Sequence, residues 1–493
     1  MKPFIRKKLP LILIAVQAVL IMGILFYIVP GRYRLYDIVL YDASENVPAN
    51  PLIGYAPRAE RQEDCAGTDL VFILLPFSEW EPQEGVFDIA GIEEKYHVAA
   101  YKSQGKQAVL RFVCDSPRAD AHRDIPEWLY LKTADGMAYD DESGKGYAPA
   151  YGNAAFLDAH GKALQALAAW CAQDSFVAYV ELGSVGRDGA WGAWASTAPG
   201  LIPSEEILEQ IARQYEEAFP EESGVRLLCS AGFERISRAG SWSDCLGENS
   251  RTAEWAAQSV DSAVIVGAES DPEAGARGDG GAENKAGAGT QEAADAARAE
   301  SGSGQGSLWT REPVGGGMTE TVPMKELLME KLSDTLYQIR SCRPSFIGPV
   351  CPDAEQQKSN GSEMILRNVG YCIYLSRLQT TVDYIEDSLQ FHLTFSNIGE
   401  APMYWDWPVK MYLYDREGKL IQEQSLALSL SSLLPDSEIT VTGSVPYSTE
   451  LLRGYSVGIS ITNPEGTRHI TLAQKGVIPD ADGIHRIYKY RKR

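Results

Sequence analysis

Three groups of residues carry side chains suited to chemistry. The first is Glu79-Trp80-Glu81-Pro82, continuing through Glu84 to Asp88; the second is Arg111 with Asp115; the third is Glu181 with Arg187, Asp188, Trp191 and Trp194. Carboxylates for acid and base work, beside indoles that stack on sugar rings, are the ingredients of a carbohydrate site. In a hydrolytic reading Glu181 is the leading carboxylate and Asp188 or Glu320 its partner. Glu79, Trp80, Arg111, Asp115, Tyr151, Arg187, Trp191 and Trp194 would then line the bound saccharide. A structural reading of the same residues makes Glu181 half of a buried ion pair and the tryptophans core plugs.

The element that must position Glu181 is the apolar run from Phe176, which takes an acid near its end and opens into a Gly- and Trp-rich loop. That is the pattern of a barrel strand where it delivers side chains to a ligand site. Side chains alternate faces along a strand, so Ala178, Val180 and Leu182 turn toward outer helices while Val177, Tyr179 and Glu181 turn inward. By the same parity Arg111 and Asp115 face inward with Val109 and Val113, and Leu110, Phe112 and Cys114 face outward. Arg111 lies on the adjacent strand, so a pair with Glu181 is geometrically easy. Such a pair favours the ionised carboxylate and suits a nucleophile or an orienting group better than a general acid.

Around this run, strand-like and helical periods alternate. Strands are predicted at 51–55, 69–77, 107–115, 225–230, 262–267 and after Leu308, and helices at 92–104, 155–173, 204–219 and 324–341. The repetition predicts a parallel (β/α)8 barrel of the TIM type over residues 50–365. His160 falls on the 155–173 helix at a core-edge position. Residues 271–306 contain no Val, Ile, Leu, Met, Phe, Trp or Tyr and are expected to be a disordered insertion. From about Gly370 the period becomes two: Leu389, Phe391, Leu393 and Phe395, then Val409, Met411 and Leu413, then Tyr455, Val457, Ile459 and Ile461. Residues 366–493 are therefore read as an all-β immunoglobulin-like sandwich that ends in a basic tail.

The 493-residue chain exceeds one typical core, which fits two folded units. A net charge of -22 argues against a nucleic-acid partner. Residues 11–29 are almost wholly apolar and follow Lys2, Arg6, Lys7 and Lys8, the pattern of an uncleaved signal anchor with everything after Pro30 outside the cytoplasm. A cleaved secretory signal is the alternative, and 31–49 reads as a linker. The eight cysteines would then lie where disulfides are permitted, Cys342 and Cys351 being near enough in sequence to bridge a short loop, while Cys114 and Cys229 read as buried thiols. No His or Cys spacing suggests a metal, and no cofactor is expected.

The segment from Ser78 to Asp88 resembles the one after the second barrel strand in β-galactosidase-like glycoside hydrolases. More broadly, Asn50-Pro-Leu-Ile-Gly54, Leu110-Arg-Phe112, the loop from Gly183 to Trp194, Pro313-Val-Gly-Gly316, Leu393-Thr-Phe-Ser-Asn-Ile-Gly399 and Gly454-Tyr-Ser-Val-Gly458 resemble an uncharacterised bacterial family, domain of unknown function 4832. The resemblance covers nearly everything after residue 30 except the insertion, and it implies a glycosidase-like barrel with a β-sandwich. Its loop tends to read Trp-Gly-Glu where this chain has Trp191-Gly192-Ala193, and its later motif Gly-Gly-Glu where this chain has Gly315-Gly316-Gly317. A retaining glycosidase needs two carboxyl groups about 5 to 5.5 Å apart, and neither Ala193 nor Gly317 supplies one. The expectations are therefore an anchored, extracytoplasmic, carbohydrate-engaging protein, either a hydrolase of O-glycosidic bonds or a degenerate glycan-binding or envelope-scaffolding relative of one.

Overall fold

The computed structural model describes residues 14, 16–23, 35–45, 48–191, 203–233, 235–257, 307–383, 385–448 and 450–491. Two compact units emerge: one holds residues 51–370 and 400–404, the other the N-terminal residues to Asn50, 371–399 and 405–493.

The first unit is built on eight parallel strands. In chain order they are β2 (Gly54–Tyr55), β3 (Leu70–Pro76), β4 (Gln107–Val113), β7 (Val177–Glu181), β8 (Arg226–Ser230), β9 (Gly240–Trp242), β10 (Val314–Gly316) and β11 (Phe346–Ile347), hydrogen-bonded in the order β2-β11-β10-β9-β8-β7-β4-β3. The two ends meet: Arg58 bridges Phe72 in parallel, with the Phe72 N–H donating to the Pro57 carbonyl and the Ala59 N–H to that of Phe72. The predicted barrel is present. Strands buried on both faces read as unbroken apolar runs, as β3 does with Leu-Val-Phe-Ile-Leu-Leu-Pro.

Inward and outward faces separate cleanly. Val71, Ile73, Leu75, Ala108, Leu110, Phe112, Cys114, Val180 and Leu182 belong to the cluster shared with α1 (Ala154–Cys171) and α2 (Glu205–Ala218), whereas Phe72, Val109, Arg111, Tyr179 and Glu181 lie outside it. One inward assignment needs correction. Ala108 pairs with Val177 but Val109 pairs with Tyr179, so a bulge at Ala178 resets the alternation and Val177 joins the helix-side cluster.

The sixth strand is Gly240–Trp242, followed by α3 (Asn249–Trp255), and no helix separates β8 from β9 among the described residues. The predicted strand at 262–267 and the insertion at 271–306 lie outside the described residues, and the eight places of the sheet are filled without them. A hairpin of β5 (Met137–Asp141) and β6 (Gly144–Ala148) stands between β4 and α1. None of the eight cysteines, all among the described residues, is joined in a disulfide, so the short-loop bridge between Cys342 and Cys351 is not formed.

The second unit has two four-stranded antiparallel sheets. One runs β1-β12-β13-β16, from β1 (Asp37–Leu40), β12 (Ile373–Asp383), β13 (Ser388–Asn397) and β16 (Glu438–Pro446). The other runs β15-β14-β17-β18, from β14 (Val409–Asp415), β15 (Leu420–Leu426), β17 (Gly454–Ile461) and β18 (His485–Arg491). The alternating apolar residues are buried as predicted, and Phe391 meets Tyr455 edge-on at 5.8 Å across the two layers. The predicted linker at 31–49 is corrected: its residues 37–40 are an edge strand antiparallel to β12. Among the described residues no helix is long and apolar enough to cross a membrane; most of the predicted span at 11–29 lies outside them or in the helical stretch 16–23.

Candidate functional site

The carboxyl ends of β4, β7 and β9 bring charged side chains to one place. Glu181 on β7 accepts a 2.6 Å bond from Arg111 Nε on β4, as strand adjacency and parity predict. The Arg111 Nη1 and Nη2 groups clasp both oxygens of Asp244, just past β9, at 2.9 and 3.3 Å. Its guanidinium lies 3.7 Å from the centre of the Trp242 ring, and Nη1 also reaches the Asp188 carbonyl. Side-chain exposure falls from 31% at Asp244 to 2% at Arg111 and 0% at Glu181. The acid therefore sits at the barrel floor beneath a guanidinium that already has two carboxyl partners.

Glycine permits this packing. A Cβ on Gly183 would stand 2.5 Å from Arg111 Cγ, and one on Gly189 would stand 2.4 Å from Gly183 Cα, so the loop after β7 folds flat onto the aliphatic stem of Arg111 only because both side chains are missing. Gly317 behaves similarly beyond β10. Its N–H donates to Asp244 Oδ1 at 2.8 Å, and a Cβ there would meet the same oxygen at 2.8 Å. The carboxylate at that rim thus comes from Asp244, on the neighbouring strand end.

A second cluster stands on the extension of β4. Asp115 accepts from the Tyr139 hydroxyl at 2.6 Å, Ser116 donates through its hydroxyl to Asp188 and through its N–H to Asp124, and the Asp188 N–H returns to the Asp115 carbonyl. Arg187 pins the β5–β6 hairpin over this cluster through Asp141 and Ser143 and lies on the Tyr139 ring. Burial holds the Glu181 carboxyl above the usual carboxylate range against the pull of Arg111, and Asp244 adds to the rise. Burial likewise lifts Asp115 to about 6; the Tyr139 bond opposes this and Asp124 reinforces it.

A carboxyl raised on folding costs stability once it ionises. The Asp115 contribution is fully favourable below the unfolded value near 4 and is lost as pH climbs to about 6, worth about 3 kcal/mol at most. Asp115→Asn keeps an acceptor for Tyr139, so it should raise the unfolding midpoint at pH 7.5 and leave it unchanged near pH 3.5; thermal melts at the two pH values check this.

Several candidates lie elsewhere. Trp80 is fully buried, its indole N–H donating to the Ala163 carbonyl and its ring packed on Phe87 and Trp170, so it is a core plug and not a stacking platform. Trp191 is 1% exposed and donates to the Leu182 carbonyl, with the same consequence. Tyr151 is buried too, its hydroxyl accepting from the Gly186 N–H and thereby shaping the Arg187 loop. Glu79 is paired with Lys95 on α-helical residues outside the cluster, and Glu320 is exposed with no bond to Arg111 or Glu181. Trp194 lies outside the described residues. His160 is fully buried between Gln214 and Ser184, which places it in the core and lowers its pKa to about 4.

Asp244, Trp242, Tyr139, Ser116 and Asp124 join the site without having been singled out from sequence. The available signal was Trp242-Ser-Asp244 after a Gly, two polar-capable side chains of one parity at a strand end. A separate cleft of about 430 Å³ runs between α3 and α4 (Leu332–Cys342), lined by Thr252, Ala256, Asp334 and Tyr337 and by none of the strand-end carboxylates. Among the described residues no group of His, Cys, Asp and Glu is arranged to hold a metal ion.

No family model and no curated protein matches this chain. Among solved structures it is similar to endo-glycoceramidase II from Rhodococcus sp., at 13% identity and TM-score 0.39, covering 83% of this chain and 100% of that one. It is also similar to an exo-beta-1,4-mannosidase from Opitutaceae bacterium strain TAV5, at 12% identity and TM-score 0.25, covering 39% and 34%.

Proposed function

We propose that the barrel binds saccharide at its carboxyl-terminal mouth without hydrolysing it, and that residues 11–29 tether it to the outer side of a membrane. The observation that carries the first part is the Arg111 network. A retaining glycosidase needs two carboxyl groups free to reach the anomeric carbon, one as acid and one as nucleophile. Glu181 is fully buried and bonded to Arg111, and Asp244 gives both oxygens to the same guanidinium. Positions 193 and 317, where the family that this sequence resembles tends to carry glutamate, are Ala and Gly. What the mouth offers a sugar is a set of acceptors and donors for hydroxyl groups: Asp188, Asp141, Arg187 and the exposed side of Asp244.

The hydrolytic reading has one observation in its favour. Asp115, lifted by burial to about 6, stands beside a second carboxyl at Asp188, and a raised carboxyl next to another is a pairing that acid and base roles use. A glycan array probed with the full chain in detergent, followed by incubation with each retained glycan and assay for new reducing ends, separates the two. Retention without release is expected, and Asp188→Ala should weaken retention about tenfold or more. Release of reducing ends would replace this reading with the hydrolytic one; retention of no glycan would remove both.

A further inference from the structure

The edge strand β1 carries a row of apolar side chains that no described residue of its own unit covers. Exposure alternates without a break from Tyr36 to Leu40: Tyr36 is 50%, Ile38 42% and Leu40 75% exposed, while Asp37 and Val39 are half-buried. Period-two alternation places the three exposed residues on one face. β1 has β12 on one side and lies at the end of its sheet, so among the described residues its other edge is unpaired. An open edge with an outward apolar row is a liability that sheets ordinarily blunt with charge or proline. Beside it on β12, Leu40 pairs with Arg377 and Ile38 with Gln379, so an exposed arginine, its guanidinium donating to the Gln379 side chain at 2.7 Å, flanks the row.

Chain connectivity says what surface this row meets. Leu35 is fully buried, and its carbonyl accepts from the Thr380 hydroxyl, which fixes the start of β1 to the sheet. The apolar run 11–29 ends six residues earlier. Even fully extended, that many residues reach about 20 Å, so a span at 11–29 holds β1 within that distance of the bilayer surface. We infer that the outer face of β1, through Tyr36, Ile38, Leu40 and Arg377, is a lipid-docking surface that seats the sandwich in the headgroup layer, the apolar side chains entering the acyl boundary and the guanidinium meeting lipid phosphate. This inference rests on the tethering reading above. Aromatic, aliphatic and cationic side chains in one short row are the composition that partitions into that interface.

The test uses the full chain in vesicles of phosphatidylcholine and phosphatidylglycerol, with p-benzoylphenylalanine placed at Ile38, at Leu40 or, as a control of similar exposure in the other sheet, at Ile421. After illumination, lipid adducts at 38 and 40 should exceed those at 421 by about tenfold, the ratio that burial of one aliphatic side chain gives. Equal adduct yields at all three positions, in protein that still floats with the vesicles, would overturn the docking surface and leave the tether standing. Protein that does not float overturns the tether and the docking surface with it. Chain-to-chain adducts at 38 and 40 would instead assign the open edge to a second copy and overturn lipid docking.

Discussion

Replacing Arg111 by Met is expected to destabilise the barrel by about 3 to 5 kcal/mol, because it leaves a fully buried carboxyl without its counter-charge. The guanidinium bonds Glu181 through Nε and Asp244 through both terminal nitrogens, so no single-donor side chain replaces it. Arg111→Lys should therefore avoid only part of the loss, since an ammonium keeps the charge but lacks the planar fork. The change is non-additive in a diagnostic way. Removing both partners, as Arg111→Met with Glu181→Gln, should be less costly than Arg111→Met alone, because the orphaned buried carboxyl is then gone. Denaturant titrations of the parent, the two single variants and the double variant measure the coupling; strict additivity would show that the pair carries no interaction energy.

A comparable loss is expected for Trp80→Ala, about 3 to 5 kcal/mol, from the lost burial, the cavity between Phe87 and Trp170, and an Ala163 carbonyl left without its donor. Trp80→Phe keeps most of the ring packing and should fold. Its saccharide retention should equal that of the parent protein, since Trp80 has no exposed face. A folded Trp80→Phe protein that has lost retention would return this indole to the ligand site.

These expectations show which parts of the site were legible in the sequence. The pairing of Arg111 with Glu181 followed from two adjacent strands and their parity, both local properties of apolar runs. Parity failed at Val177, because a bulge is set by how two strands register and leaves no mark on one of them. The tryptophans misled for a different reason. An indole in a loop looks the same whether it stacks on a ligand or fills the core, and only the position of the Ala163 and Leu182 carbonyls decides it for Trp80 and Trp191. Asp244 escaped notice because a three-residue strand ending in Ser-Trp has no apolar run to announce it. The strand at 37–40 read as linker since its partner in β12 is more than 300 residues away and four residues carry little periodicity.

The role of Glu181 is decided most directly by Glu181→Gln, assayed for retention of the glycans identified on the array and for release of reducing ends from them. Unchanged retention is expected, with no release by either protein and only the unfolding midpoint shifted. Release by the parent protein that vanishes in Glu181→Gln would contradict a locked, structural acid and make Glu181 catalytic.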